Sequence, residues 1–227
     1  MKSLGDARWP DLGGPPRVTL LVPVGSVEQH GPHLPLDTDT RIALAVAGAA
    51  AARLGPDLLV APAIAIGASG EHEMFPGTVS IGTEGLRTVL VELGRSAGRW
   101  VRRTVFVNGH GGNLDAVRSA VELLRAESRD VSAYSCSPPR SLCANPDAHA
   151  GRTETSIMLA VSPEVVRLDL ARAGNTAPLA SLLPTMRAGS VRAVSENGVL
   201  GDPAGATAAE GEALLAAMVD ALVTILV

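Results

Sequence analysis

Residues 18–39 read VTLLVPVGSVEQHGPHLPLDTD, and the change of character within them decides the fold class. Val18–Val24 is a short apolar run and reads as a buried strand. At Gly25 the composition switches to Gly, Pro, His, Asp and Glu, and stays so to Asp39. Thr40–Leu54 is then almost entirely Ala, Val, Leu and Ile, the pattern of a well-buried helix. Strand, polar turn and buried helix in that order begin a parallel α/β arrangement.

The same alternation continues outward. Leu58–Ile66 is a second apolar run, interrupted by Pro62. Thr83 is placed to cap a helix reaching about Trp100. Thr104–Val107 reads as a strand ending at Asn108-Gly109-His110. Asn113–Glu127 is amphipathic, with Leu114, Val117, Val121 and Leu124 on one face. Val131–Tyr134 is another short strand, Ser135–Asp147 a Pro-, Ser-, Cys- and Asn-rich loop, and Thr153–Val161 a helix. Residues 172–206 give no clear signal, and Ala206–Leu226 reads as a closing helix. The expectation is an α/β, three-layer sandwich with a mostly parallel central sheet, built as one domain over residues 1–227. Ligands bind such sheets at the carboxyl ends of the strands. Here the polar clusters follow directly on apolar runs.

Composition removes several classes of function. Of 227 residues 46% are hydrophobic and 19% charged, which excludes a disordered chain. Lys2 is the only lysine and Arg carries nearly all the positive charge, but net charge is −4 and the pI about 5.7, so there is no overall basic field to hold nucleic acid. Two Phe and one Tyr cannot build a stacking platform for single strands. The first 17 residues contain no apolar secretory core, and no run reaches the ~18 apolar residues of a membrane span. Cys136 and Cys143 are too few for a disulfide framework. A cytoplasmic protein that works away from membranes is expected.

The chemistry sits in four clusters. Glu28 and His30 lie two apart in extended backbone, on the same side, with Asp39 nine residues beyond His30. A carboxylate and an imidazole converging with a further carboxylate suit Zn²⁺, Fe²⁺ or Mn²⁺; a polar loop satisfying its own turns is the plainer alternative. Asn108-Gly-His110-Gly-Gly-Asn113 lies between a strand and a helix, with Asn113 a candidate cap. A phosphate cradle is its rival reading, weakened by the absence of a following Lys. His149-Ala-Gly-Arg-Thr-Glu154 opens another helix, where Thr153 could be a plain cap. In Glu71-His72-Glu-Met-Phe-Pro-Gly77-Thr78, His72 either lines a pocket or bonds a loop carbonyl.

Four motifs, PVGSVEQHGPHLPLDTDT (23–40), GEHEMFPGT (70–78), NGHGGN (108–113) and HAGRTETS (149–156), together resemble the creatininase family of metal-dependent amidohydrolases. The order and spacing fit across residues 18–161. The short chain and HAGRTETS resemble most the mycofactocin-system branch, whose members are peptidases that remove the modified C-terminal dipeptide of a ribosomally made precursor peptide. The resemblance implies an α/β sandwich with two divalent metal ions (Zn, Fe or Mn), the modified precursor peptide as substrate, and a homo-oligomer built from dimers. It implies Glu28 and His110 at one metal, His30 and Glu154 at the other, Asp39 bridging both, and His149 as a proton-transfer or oxyanion-stabilising group. Asp37 stands where the family often has Gly and is not counted as a ligand. Creatininase proper has a Glu two residues after the motif His; here that position is Gly112. Trp9 and Trp100 are both far in sequence from the His149 loop, which counts against creatinine as substrate. Ser135–Asp147 is expected to form a substrate-selecting lid, with His72 and Cys136 as substrate-contacting residues and Cys136 within reach of an open metal position. A hydrolase of a free cyclic amide or formamide, a non-catalytic metal scaffold, and a nucleotide-binding protein are the competing expectations.

Overall fold

In the computed structural model, which describes residues 3–13, 17–139, 141–143 and 147–227, four parallel strands form one sheet. They are β1 (Thr19–Val24), β2 (Leu58–Val60), β3 (Arg103–Asn108) and β4 (Val131–Ser135), in the order β2-β1-β3-β4. Successive strand side chains point to opposite faces, so each strand feeds two cores. Leu20, Val22, Val24 and Phe106 enter one, packed by helices α2 (Gly82–Ala97) and α3 (Leu114–Ala126). Leu21, Val105 and Val107 enter the other, packed by α1 (Thr38–Leu54), α4 (Arg152–Val161) and α6 (Ala208–Leu226). Helix layer, sheet, helix layer is the sandwich expected from the alternation.

Boundaries differ where side chains have other work. α1 starts at Thr38, two residues early, so Asp39 lies buried in its first turn. The run after Leu58 pairs as a strand only to Val60; beyond Pro62, Ile64 makes an isolated bridge to Val24. Thr83 is not a cap: α2 begins at Gly82, with Ile81 preceding it. Asn113 precedes α3 without capping it. Its side chain instead accepts from Ala68 N (2.8 Å) and donates to Gly25 O (2.9 Å) and Asn108 Oδ1 (3.1 Å), tying three loops together beneath the site. At α4, Asp147 Oδ2 accepts from Arg152 N (2.6 Å) and Glu154 Oε2 from Ala150 N (2.6 Å), so Thr153 is not the cap either.

The stretch 172–206 holds α5 (Leu179–Gly189), which the sequence pattern did not reveal. Among the described residues, no helix is long and apolar enough to cross a membrane.

Candidate metal centre

Three of the four chemistry-bearing clusters follow the carboxyl end of a strand or open a helix; the fourth, with His72, lies in the connection between β2 and α2. Glu28 and His30 come from the turn after β1, Asp39 from the first turn of α1 and His110 from the turn after β3. His149 and Glu154 flank the start of α4, and His72 ends the short turn Gly70–His72. Five of these seven, Glu28, His30, Asp39, His72 and His110, are at least 95% buried. His149 is buried as well, and Glu154 is half-buried.

Asp39 sits at the middle. Its Oδ1 lies 3.2 Å from His30 Nε2, its Oδ2 lies 3.2 Å from His110 Nδ1, and Ser26 Oγ donates to Oδ2 at 2.6 Å. On one side His110 Nε2 is 3.1 Å from Glu28 Oε2; on the other His30 Nε2 is 4.0 Å from Glu154 Oε2. Donor atoms of Glu28, Asp39 and His110 all fall within 4.8 Å of one another, as do those of His30, His149 and Glu154, and of Glu28, His72 and His149. The residues expected to bind metal are thus brought together, arranged about one aspartate with an oxygen turned to each side.

The electrostatics fit cations. Burial pushes the Glu28 carboxyl up to about 7, with His110 pulling against it. Burial also raises Glu154, opposed by His30. Burial would raise Asp39 too, but His30 and His110 hold it well below the usual carboxylate range. His30 is raised to about 10 and His110 well above its ordinary value, because their carboxylate neighbours outweigh burial. Three carboxylates packed this closely require compensating positive charge, which protons on two imidazoles provide in the protein alone. Both oxygens of Glu28 are fully buried without a hydrogen-bond partner, although His110 Nε2 is close. Orphaned carboxylate oxygens beside imidazole nitrogens are the donor set of Zn²⁺, Fe²⁺ or Mn²⁺.

His149 is held differently. Its Nε2 lies 2.7 Å from the Gln29 carbonyl oxygen and its Nδ1 3.8 Å from Glu28 Oε1. Burial, with His30 and His72 adding to it, lowers its basicity well below the ordinary value. It therefore enters the site as a neutral imidazole rather than as a standing proton donor. Burial likewise lowers His72 to about 4. His72 lines the cavity and bonds the Gln29 side chain, not a loop carbonyl.

A cavity of about 520 Å³ opens above the centre. Its floor is Asp39, His72, His110, His149 and Glu154, and its roof is Leu179, Leu183 and Met186 of α5. Of the loop expected to form a lid, no described residue of 135–147 lines the cavity, and residues 140 and 144–146 lie outside the described part. Cys136 corrects one expectation. It stands two residues after Tyr134, on the same side of the extended chain, and both pack into the core under α6, where Tyr134 Oη bonds Met218 O at 2.9 Å. Cys136 belongs to none of the donor groups, and burial pushes its thiol up, away from thiolate.

Glu71 is a site residue that sequence reasoning missed. Its Oε1 is 3.5 Å from His110 Nε2, and His110 pulls its carboxyl down against the effect of burial. A Cβ on Gly112 would fall 2.5 Å from that same oxygen. The Glu71 carboxylate thus occupies the space into which a side chain at position 112 would project. The missing Glu after the motif His was the available signal.

Fold and centre together define a class: a three-layer α/β protein with a buried carboxylate–imidazole centre at the carboxyl edge of a parallel sheet. The family model described as "Creatininase: Creatinine amidohydrolase" matches residues 6–226, and the chain belongs to that family of hydrolases. It is 61% identical over 205 residues to the mycofactocin precursor peptide peptidase of Mycolicibacterium smegmatis (strain ATCC 700084 / mc(2)155), covering 88% of this chain and 81% of that one. The mycofactocin precursor peptide peptidase of Mycobacterium tuberculosis (strain CDC 1551 / Oshkosh) is 60% identical over 210 residues, covering 89% and 82%. Among solved structures, a manganese creatininase superposes with a TM-score of 0.79 at 27% identity, over 99% of this chain and 97% of that one.

Proposed function

We propose that this chain is a dinuclear metallopeptidase that hydrolyses an amide bond near the C-terminus of the modified mycofactocin precursor peptide and releases its C-terminal dipeptide. The observation that carries the reading is Asp39, buried between two histidines with one oxygen facing each, in a chain 61% identical to a peptidase of that name. Glu28 and His110 would hold one ion, His30 and Glu154 the other, and Asp39 both. Two divalent cations (Zn, Fe or Mn) held there would bring the pKa of a bound water towards ~7 and polarise the amide carbonyl.

The chain's own groups do the rest. Ser26 Oγ fixes the Asp39 carboxylate by donating to Oδ2. His149, buried and neutral, takes a proton at Nδ1 from the attacking water and passes it to the leaving amine. The apolar roof of α5 excludes water from the floor and gives an extended peptide end a surface to bury. A cavity of about 520 Å³ is in the range that encloses drug-sized ligands, not a lone cyclic amide. The whole chain acts as one domain, in the cytoplasm, in a homo-oligomer built from dimers.

Asp39→Ala tests the metal reading. Elemental analysis of the purified variant is expected to show both ions lost together. Near-normal content of two ions would refute the shared carboxylate.

A further inference from the structure

His72 and His149 both line the cavity as neighbours, ring centroids 4.4 Å apart, and each turns one nitrogen towards Glu28 Oε1. Both are tied to one residue, Gln29, and its bonds determine where each ring carries its hydrogen. A backbone N–H can only donate, so Gly31 N, 2.9 Å from Gln29 Oε1, identifies the oxygen end of the amide. The other end, Nε2, has two hydrogens to place. One goes to the Gly198 carbonyl at 3.1 Å, the other to His72 Nδ1 at 2.9 Å. His72 Nδ1 is then the bare nitrogen, and the neutral ring carries its hydrogen on Nε2, 3.4 Å from Glu28 Oε1.

For His149 the deciding partner is the Gln29 main-chain carbonyl, which can only accept. It lies 2.7 Å from His149 Nε2, so that nitrogen carries the hydrogen and Nδ1 is bare, 3.8 Å from Glu28 Oε1. Gln29 Nε2 also passes 3.0 Å from His149 Nε2, a close approach of two donors whose hydrogens are directed elsewhere. The two rings share a tautomer but are turned opposite ways. His72 offers an N–H to the site; His149 offers a lone pair.

The amide has no freedom to choose otherwise. Gly198 has φ +80°, and a Cβ there would overlap the Gln29 amide. The segment after it pairs with the His149 backbone in both directions, through His149 N to Leu200 O (3.2 Å) and Leu200 N to His149 O (2.8 Å). One strap therefore fixes Gln29 and His149 relative to each other.

We propose that Gln29 is a positioning residue that assigns His72 as the hydrogen-bond donor to the amide oxygen and His149 as the proton acceptor. This deepens the peptidase reading and rests on it. His149 Nδ1 takes a proton from the attacking water as the C–O bond forms. The resulting imidazolium, its Nε2–H still held by the Gln29 carbonyl, returns that proton to the amine nitrogen as the C–N bond breaks. His72 Nε2–H supports the negative oxygen between those events. In this arrangement His72 cannot ligate a metal, because the nitrogen it turns to the site carries hydrogen.

The test uses the full-length chain loaded with zinc and labelled with ¹⁵N in its histidine rings. In the wild-type protein the one-bond N–H couplings of His72 and His149 are both expected at Nε2. Gln29→Glu, whose carboxylate can only accept, is expected to move the His72 hydrogen to Nδ1, and to lower kcat by about 100–1,000-fold, the usual effect of losing one donor to the developing oxyanion, with KM nearly unchanged. A His72 hydrogen on Nδ1 in the wild type overturns the assignment, and so do unchanged tautomers in Gln29→Glu. The wild-type spectrum requires no variant to fold and no substrate to be cleaved. Tautomers as stated in a chain that does not cleave the peptide would refute the peptidase reading and leave the Gln29 assignment standing.

Discussion

His33 shows how much the site's surroundings constrain single residues. Its Nε2 bonds Thr155 Oγ1 at 2.9 Å, its Nδ1 has no partner, and its side chain is buried. Burial, with His30 nearby, lowers it to about 4. The fold therefore holds a neutral imidazole that the unfolded chain protonates near its ordinary value of 6.5. Between those two pH values the unfolded state binds the extra proton, so stability falls as pH is lowered through that window. One proton contributes a slope of up to about 1.4 kcal/mol per pH unit. His72, also lowered to about 4, acts in the same direction. In urea titrations from pH 7 to pH 4, His33→Gln is expected to remove one proton's share of the slope. An unchanged slope would contradict the neutral assignment. At this scale the residues that the structure gathers around Asp39 were legible because Glu, His and Asp cluster densely in short polar turns. Gly112 signalled a missing side chain, but Glu71 itself was hidden because only the folded chain brings its carboxylate, from 41 residues away, into the space beside Gly112. Cys136 was misjudged because a position just past a strand end says nothing of which face it takes; the two-residue alternation with Tyr134 sends it into the core.

Between elements, α6 packs directly on the backbone of α4 at Gly211, which allows the approach. A Cβ there would overlap the Ser156 carbonyl oxygen. Helix propensity alone favours Gly→Ala by roughly 1 kcal/mol, so the sign of the change separates packing from propensity. Gly211→Ala is expected to lower stability by about 1–3 kcal/mol, read as a lower urea midpoint, because overpacking dominates. A raised midpoint would mean the helices separate at no cost. The roof helix α5 carries the next prediction. Leu183→Asp places a charge over the floor and removes a leucine from the contact surface, whose burial is worth about 1.5–3 kcal/mol. KM for the peptide is expected to rise roughly tenfold or more, with metal content intact. An unchanged KM would remove α5 from substrate contact. The strand–helix alternation of the rest was readable because buried parallel strands are continuous apolar runs. α5 was not, since Pro184 interrupts its helical pattern and its apolar side faces a cavity.

Across the whole molecule, the sheet does one thing for function: it aligns the ends of β1 and β3 so that Glu28, His30 and His110 meet Asp39. α4, in the same layer as α1, then brings Glu154 to the same point, with His149 in the turn just before it. The most direct measurement is mass spectrometry of the modified precursor peptide incubated with the metal-loaded full-length chain in H₂¹⁸O, beside the same chain stripped by chelator and the stripped chain re-loaded. The expected result is release of the C-terminal dipeptide by the loaded and re-loaded chains alone, with one ¹⁸O in the new carboxylate of the shortened peptide. Cleavage that persists after the metal is removed, or a loaded chain that leaves the peptide intact while opening a free cyclic amide, would contradict a metal-activated water acting on a peptide end.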